Sequence, residues 1–128
     1  MILSNLHTHT IFSDGDNSPQ EVIERAIELN FESIGFSEHA ECGYDIGCSE
    51  LGLNDQIEYF KKLDLLQNKY PQIKIYKGLE LDSLNWKHEG TPDYTIGSVH
   101  NLLIDNKVYT IDWKIEYLKE LITVCNGE

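Results

Sequence analysis

The chain has 128 residues, one domain's worth and enough to bury a core, yet far short of the roughly 250 residues of a complete α/β barrel. Ten basic residues against 22 acidic ones give a net charge of -12, with Arg25 the only arginine, and a field of that sign excludes a sequence-independent nucleic-acid grip unless metal ions supply positive charge. No apolar run approaches membrane-spanning length, and Cys42, Cys48 and Cys125, odd in number and lacking C-x-x-C spacing or a secretory leader, read as reduced thiols of a cytoplasmic protein.

In chain order, Ile2 to Leu6 reads as a short buried strand that hands over to a polar loop, His7 to Asn17. His7 and His9 stand at the strand tip. Side chains two apart in a strand share a face, so the pair presents two imidazoles to one point, as a metal ion requires. By itself an H-x-H describes two surface histidines equally well. A helix follows, with Ser18 as N-cap, Pro19 at its first position, Glu21 closing a capping box, and Val22, Ile23, Ala26, Ile27 and Leu29 as the apolar face before a stop at Asn30. Ser33 to Ser37 is the second strand, and it carries Glu38 and His39 to its carboxyl end.

The loop from Ala40 to Leu53 holds Gly43, Gly47 and Gly52 and is long enough to wall or cover a site. Asn54 is expected to cap the next helix, which runs to about Tyr70 with Ile57, Phe60, Leu63, Leu66 and Tyr70 as its apolar stripe, and Pro71 ends it. Ile73 to Leu79 is the third strand, ending in Glu80 and Asp82. After the loop Ser83 to Pro92, Tyr94 to Val99 forms a fourth strand ending in His100. A polar turn at Asp105-Asn106 leads to a last helix over Trp113 to Val124, with Asn126-Gly127 as its C-cap.

Every predicted strand therefore delivers a potential ligand to its carboxyl end, the edge on which parallel α/β sheets and barrels build their sites. His7, His9, Asp14, His39, Glu80 and His100 make a mixed nitrogen and oxygen set larger than one tetrahedral zinc can use. The set points to two or more divalent ions, zinc, manganese or iron, with no need of thiolate. Asp14 lies in Ser13-Asp14-Gly15, a turn sequence in its own right, and Asp16 is the alternative ligand. His88 reads as a surface residue. Cys42 and Cys48 match no closed structural zinc pattern.

The stretch His7-Thr8-His9-Thr10-Ile11-Phe12-Ser13-Asp14-Gly15 resembles the opening motif of the polymerase and histidinol phosphatase (PHP) superfamily. Ser37-Glu38-His39 is similar to its second motif, and Gly78-Leu79-Glu80 with Ile96-Gly97-Ser98-Val99-His100 to its third, the last two in the form of the histidinol-phosphatase branch. The resemblance implies an α/β fold, a distorted seven-stranded (β/α) barrel. Residues 1–128 would be its N-terminal half, a single incomplete domain of about four parallel strands with helices outside. It also implies His7 and His9 on one ion, Glu80 bridging to a second that His100 binds, and Asp14 with His39 on a third. A further histidine-bearing strand and an Asp-x-His would belong beyond Glu128. The implied activity is metal-dependent phosphoester hydrolysis on a small phosphomonoester, L-histidinol phosphate; the charge and the lack of a long apolar run argue against a nucleic-acid or membrane partner. A protein-tyrosine phosphatase or nuclease of the same superfamily, or a metal-binding fragment without turnover, are the alternatives. A sheet of four strands cannot close, so self-association through its open edges is expected.

Overall fold

Four parallel strands lie in the order β1-β2-β3-β4: Ser4–Asn5, Ser33–His39, Lys74–Asp82 and Tyr94–Ser98, a helix joining each of the first two pairs and a loop the last. The computed structural model describes residues 3–45, 49–111 and 114–126. Ile2, Gly47, Cys48, Trp113 and Gly127, named above, lie outside the described residues. No helix among those described is long and apolar enough to cross a membrane.

Helix α1, Pro19–Glu28, has the expected capping box: Ser18 and Glu21 satisfy each other's backbone N–H groups. It ends where Asn30 takes a left-handed conformation (φ 58°), and the N–H groups of Asn30 and Phe31 return to the carbonyls of Ile27 and Ala26. Helix α2 spans Leu53–Lys69. Both helices pack on one face of the sheet, where Ile34 and Phe36 of β2 and Ile75, Leu79 and Leu81 of β3 meet Ile23, Ala26, Tyr59, Phe60, Leu63 and Leu66. Each buried Ile, Leu or Phe among them contributes about 1.5–3 kcal/mol. The opposite face is filled differently. Gly35 and Gly78 leave space there, and the ring of Tyr94 lies across both, its hydroxyl donating to the carbonyl of Leu6 at 2.6 Å with that of Phe36 at 3.2 Å. One side chain on β4 thus ties β1 and β2 together from inside.

Four expectations need correction. The first strand is not buried: β1 is two residues long and exposed, because the sheet order leaves it as an edge with a neighbour on one side only. Gly52, not Asn54, is the N-cap of α2, and no side chain caps it. Ile57 is exposed while Gln56 and Tyr59 are buried. Successive steps of three residues drift about 60° round a helix, so a stripe started at Ile57 has left the face centred on Leu63. Finally, the segment after His100 is not a simple turn into a helix. Asn101–Ile104 (β5) and Lys107–Thr110 (β6) form an antiparallel hairpin, with Asp105 and Asn106 at φ 48° and 64° as its two-residue turn. Helix α3, Ile115–Asn126, follows and buries Leu121.

Candidate metal centre

The carboxyl edge of the sheet gathers all six sequence-predicted residues. His7 and His9 follow β1, and the backbone between them runs on beside β2, the Ser37 N–H donating to the Thr8 carbonyl at 2.9 Å. His39 closes β2 and is register partner of Glu80 on β3, so both side chains stand on the same face. His100 follows β4. The site centres on Glu80, itself buried. Its Oε2 lies 3.2 Å from His7 Nε2, 3.1 Å from His9 Nε2 and 3.3 Å from His39 Nδ1, and its Oε1 lies 3.4 Å from His100 Nε2. Asp14 joins from the other side, with Oδ1 2.8 Å from His9 Nδ1 and Oδ2 3.5 Å from His39 Nε2.

These atoms form three overlapping groups: His7, His9 and Glu80; His9, Asp14 and His39; and His39, Glu80 and His100. The donor set suits a divalent cation. Ligand atoms around a tetrahedral zinc, bonded at about 2.0–2.1 Å, stand about 3.3 Å from one another. The four nitrogens approach Glu80 at 3.1–3.4 Å. The buried His9 Nε2, aligned too poorly with Glu80 for a hydrogen bond, has no hydrogen-bond partner. Imidazole nitrogens packed round one buried carboxylate are the arrangement a shared cation would satisfy. Asp16 enters none of the groups, and His88 is exposed on its loop. Cys42 is buried, and burial pushes its thiol up to about 11, which makes it a poor thiolate donor.

The charges in this cluster hold one another. The Glu80 carboxylate, outweighing the cost of burial and assisted by Asp14, raises His9 to about 9. Burial pushes Glu80 up, but His9, then His39 and His7, pull it down to about 2. His39 is lowered, by burial first and by the neighbouring charge of His9 second. Asp14, despite partial burial, is lowered by its bond to His9. An imidazolium held against carboxylates is the protonic substitute for a bound cation.

Two further carboxylates shape the site, and the sequence reading missed their roles. Glu38, next to His39 but on the opposite face of β2, accepts hydrogen bonds from Thr10 N at 3.0 Å, Thr10 Oγ1 at 2.6 Å and Ser13 Oγ at 2.5 Å. Asp82, at the end of β3, accepts from the backbone N–H groups of His100 at 3.0 Å and Asn101 at 3.1 Å. The alternation of a strand already places Glu38 opposite His39, and that signal could have separated their roles.

The PHP domain family matches residues 5–127. The chain belongs to the PHP domain family. This PHP domain is 29% identical, over an alignment of 143 positions, to the histidinol-phosphatase of Bacillus subtilis, covering 94% of this chain and 52% of that protein. It is also 29% identical over 93 residues to the DNA polymerase/3'-5' exonuclease PolX of the same organism, covering 73% of this chain but 15% of that protein. Among solved structures, the PHP domain superposes on a putative histidinol phosphatase from Listeria monocytogenes with a TM-score of 0.73 at 24% identity, covering 90% of this chain and 51% of that one, and this shows the shared fold. A histidinol phosphate phosphatase from Lactococcus lactis, complexed with zinc, L-histidinol and phosphate, matches with a TM-score of 0.67 at 27% identity, over 95% of this chain and 51% of that one. The chain therefore spans about half the length of these phosphatases, and its four parallel strands with outer helices form half of a PHP-type (β/α) barrel.

Proposed function

We propose that this PHP domain is a metal-dependent phosphoesterase acting on a small phosphomonoester, with L-histidinol phosphate as its substrate. On this reading residues 1–128 are the N-terminal half of one such domain. His7, His9, Asp14, His39, Glu80 and His100 would hold two or three divalent ions of the zinc, manganese and iron class, with Glu80 shared between groups. Metal ions at such a centre supply an acidified water and positive charge against the phosphoryl oxygens. The protein's own part is positional. Buried Glu80 fixes the spacing of four imidazoles, Asp82 holds the backbone at His100, and Tyr94 keeps β1 and its two histidines against the sheet. Arg25 is paired with Glu28 on α1.

The observation that carries this reading is the convergence of four imidazoles on Glu80 at the carboxyl edge of a parallel sheet. The Lactococcus relative, whose complex holds zinc, histidinol and phosphate, supports the substrate. The net charge of -12 favours a small phosphomonoester over a polynucleotide. A second reading, metal binding without turnover, is favoured by the span: about half of each phosphatase relative has no counterpart in these residues. Phosphate release from histidinol phosphate and from p-nitrophenyl phosphate by zinc- or manganese-loaded protein, beside a His9→Ala variant, separates the two. Release abolished by the substitution is expected. Metal-loaded protein that releases no phosphate supports the second reading.

A further inference from the structure

We propose that Glu38 is a positioning residue for the centre: from the outer face of β2 it sets the arm that carries His9 and Asp14 against His39. The inference rests on the metal reading above. Glu38 is fully buried, yet it is not gathered with the six residues of the centre. Among the described residues, its carboxylate accepts three hydrogen bonds, from Thr10 and Ser13. Thr10 directly follows His9, and Ser13 directly precedes Asp14. One carboxylate therefore grips both ends of the arm, immediately beside the two side chains that reach the centre.

The arm itself is wound tightly. The Thr10 carbonyl accepts from the N–H groups of both Ser13 and Gly15 at 3.0 Å, and a Cβ at Gly15 would stand 2.4 Å from the His9 carbonyl oxygen. Closure of the arm thus depends on a glycine, and its height above the sheet depends on Glu38. Because Glu38 and His39 are consecutive on one strand, they point to opposite faces. The same two residues send His39 inward and anchor the arm from outside, so a single strand segment spaces His9, Asp14 and His39. That spacing is the His9–Asp14 distance of 2.8 Å and the Asp14–His39 distance of 3.5 Å. Stability alone gives no reason for the choice. A buried carboxylate pays a desolvation penalty that a well-packed apolar side chain at the same place avoids.

The test uses cobalt(II) as the probe ion, whose visible band reports ligand geometry. The full chain is compared with Glu38→Ala, Glu38→Gln, the pair Thr10→Val and Ser13→Ala, Asp14→Asn and His100→Ala. Removing the grip, from either side, is expected to weaken cobalt affinity by about 10–100-fold, the usual effect of losing an outer-sphere partner. It is also expected to shift the band as Asp14→Asn does, and not as His100→Ala does. Glu38→Gln keeps an acceptor for the Thr10 N–H and is expected to restore the native band. A folded Glu38→Ala protein with native affinity and band would overturn the inference. If that variant does not fold, the Thr10 and Ser13 variants decide in the same way. An unaltered chain that takes up no cobalt would instead overturn the metal reading, and this inference with it.

Discussion

Replacing Gly78 by alanine tests how the inner face of the sheet supports the site. A Cβ there would lie 2.3 Å from Cζ of Tyr94 and 2.6 and 2.7 Å from the two Cε atoms. Gly78 and Tyr94 are register partners in the β3–β4 ladder, so the strands cannot part without losing that pairing. The ring must swing instead, and its hydroxyl then leaves the Leu6 carbonyl, which it meets at 2.6 Å. Overpacking of this kind costs about 1–3 kcal/mol and the lost hydrogen bond about 0.5–1.5, giving about 1.5–4.5 kcal/mol in total. Urea unfolding followed by circular dichroism should show a lower midpoint with an unchanged slope. Tyr94→Phe, which removes only the hydroxyl, should cost about 1 kcal/mol. Since Leu6 directly precedes His7, Gly78→Ala should also weaken zinc binding. A Gly78→Ala protein within about 0.5 kcal/mol of the unaltered chain would refute the role given to Tyr94.

Glu80 belongs to two of the three ligand groups, so Glu80→Gln should lower the zinc retained per chain after gel filtration, measured by elemental analysis, while Asp16→Asn should leave it unchanged. In the metal-free protein, His9 is raised from 6.5 to about 9, a contribution complete below pH 6.5 and lost as pH rises through 9, and Glu80 is lowered from 4.5 to about 2, a contribution complete above pH 4.5 and lost as pH falls through 2. The melting temperature in chelator should therefore be highest between pH 4.5 and 6.5 and fall on both sides; a profile that climbs steadily through pH 9 would contradict the charge arrangement described. Strands β1 and β4 are the edges of the four-stranded sheet, and light scattering of the isolated chain should report a mass above the 14.7 kDa of one copy. A monodisperse species of monomer mass would count against self-association.

Local chemistry made some of this fold legible. The Ser18-Pro19-Gln20-Glu21 signature placed the start of α1, and Asn30 its end, because capping depends on neighbours a few residues away. The period of the strands and the ligand at each strand end placed the candidate centre, since a parallel sheet aligns its carboxyl edge whatever the loops do. What depended on distant neighbours was less visible. The exposure of β1 follows from which strand lies beside it, and the buried Gln56 from contacts with the Leu51 carbonyl and the Glu89 N–H. The β5–β6 hairpin was missed because its turn is Asp105-Asn106 rather than a glycine pair, though both residue types tolerate positive φ. Glu38 and Asp82 were legible as carboxylates at strand ends. Their partners were not, because Thr10, Ser13 and the His100 backbone come to them only through the fold.

The central claim, that this edge of the sheet is a metal centre, is tested most directly by anomalous diffraction at the zinc edge from a crystal of the protein grown with zinc. The account predicts anomalous peaks bonded to His7, His9 and Glu80 and to His39, Glu80 and His100. Zinc bound only elsewhere, as at the exposed His88, with no peak among these residues, would contradict it.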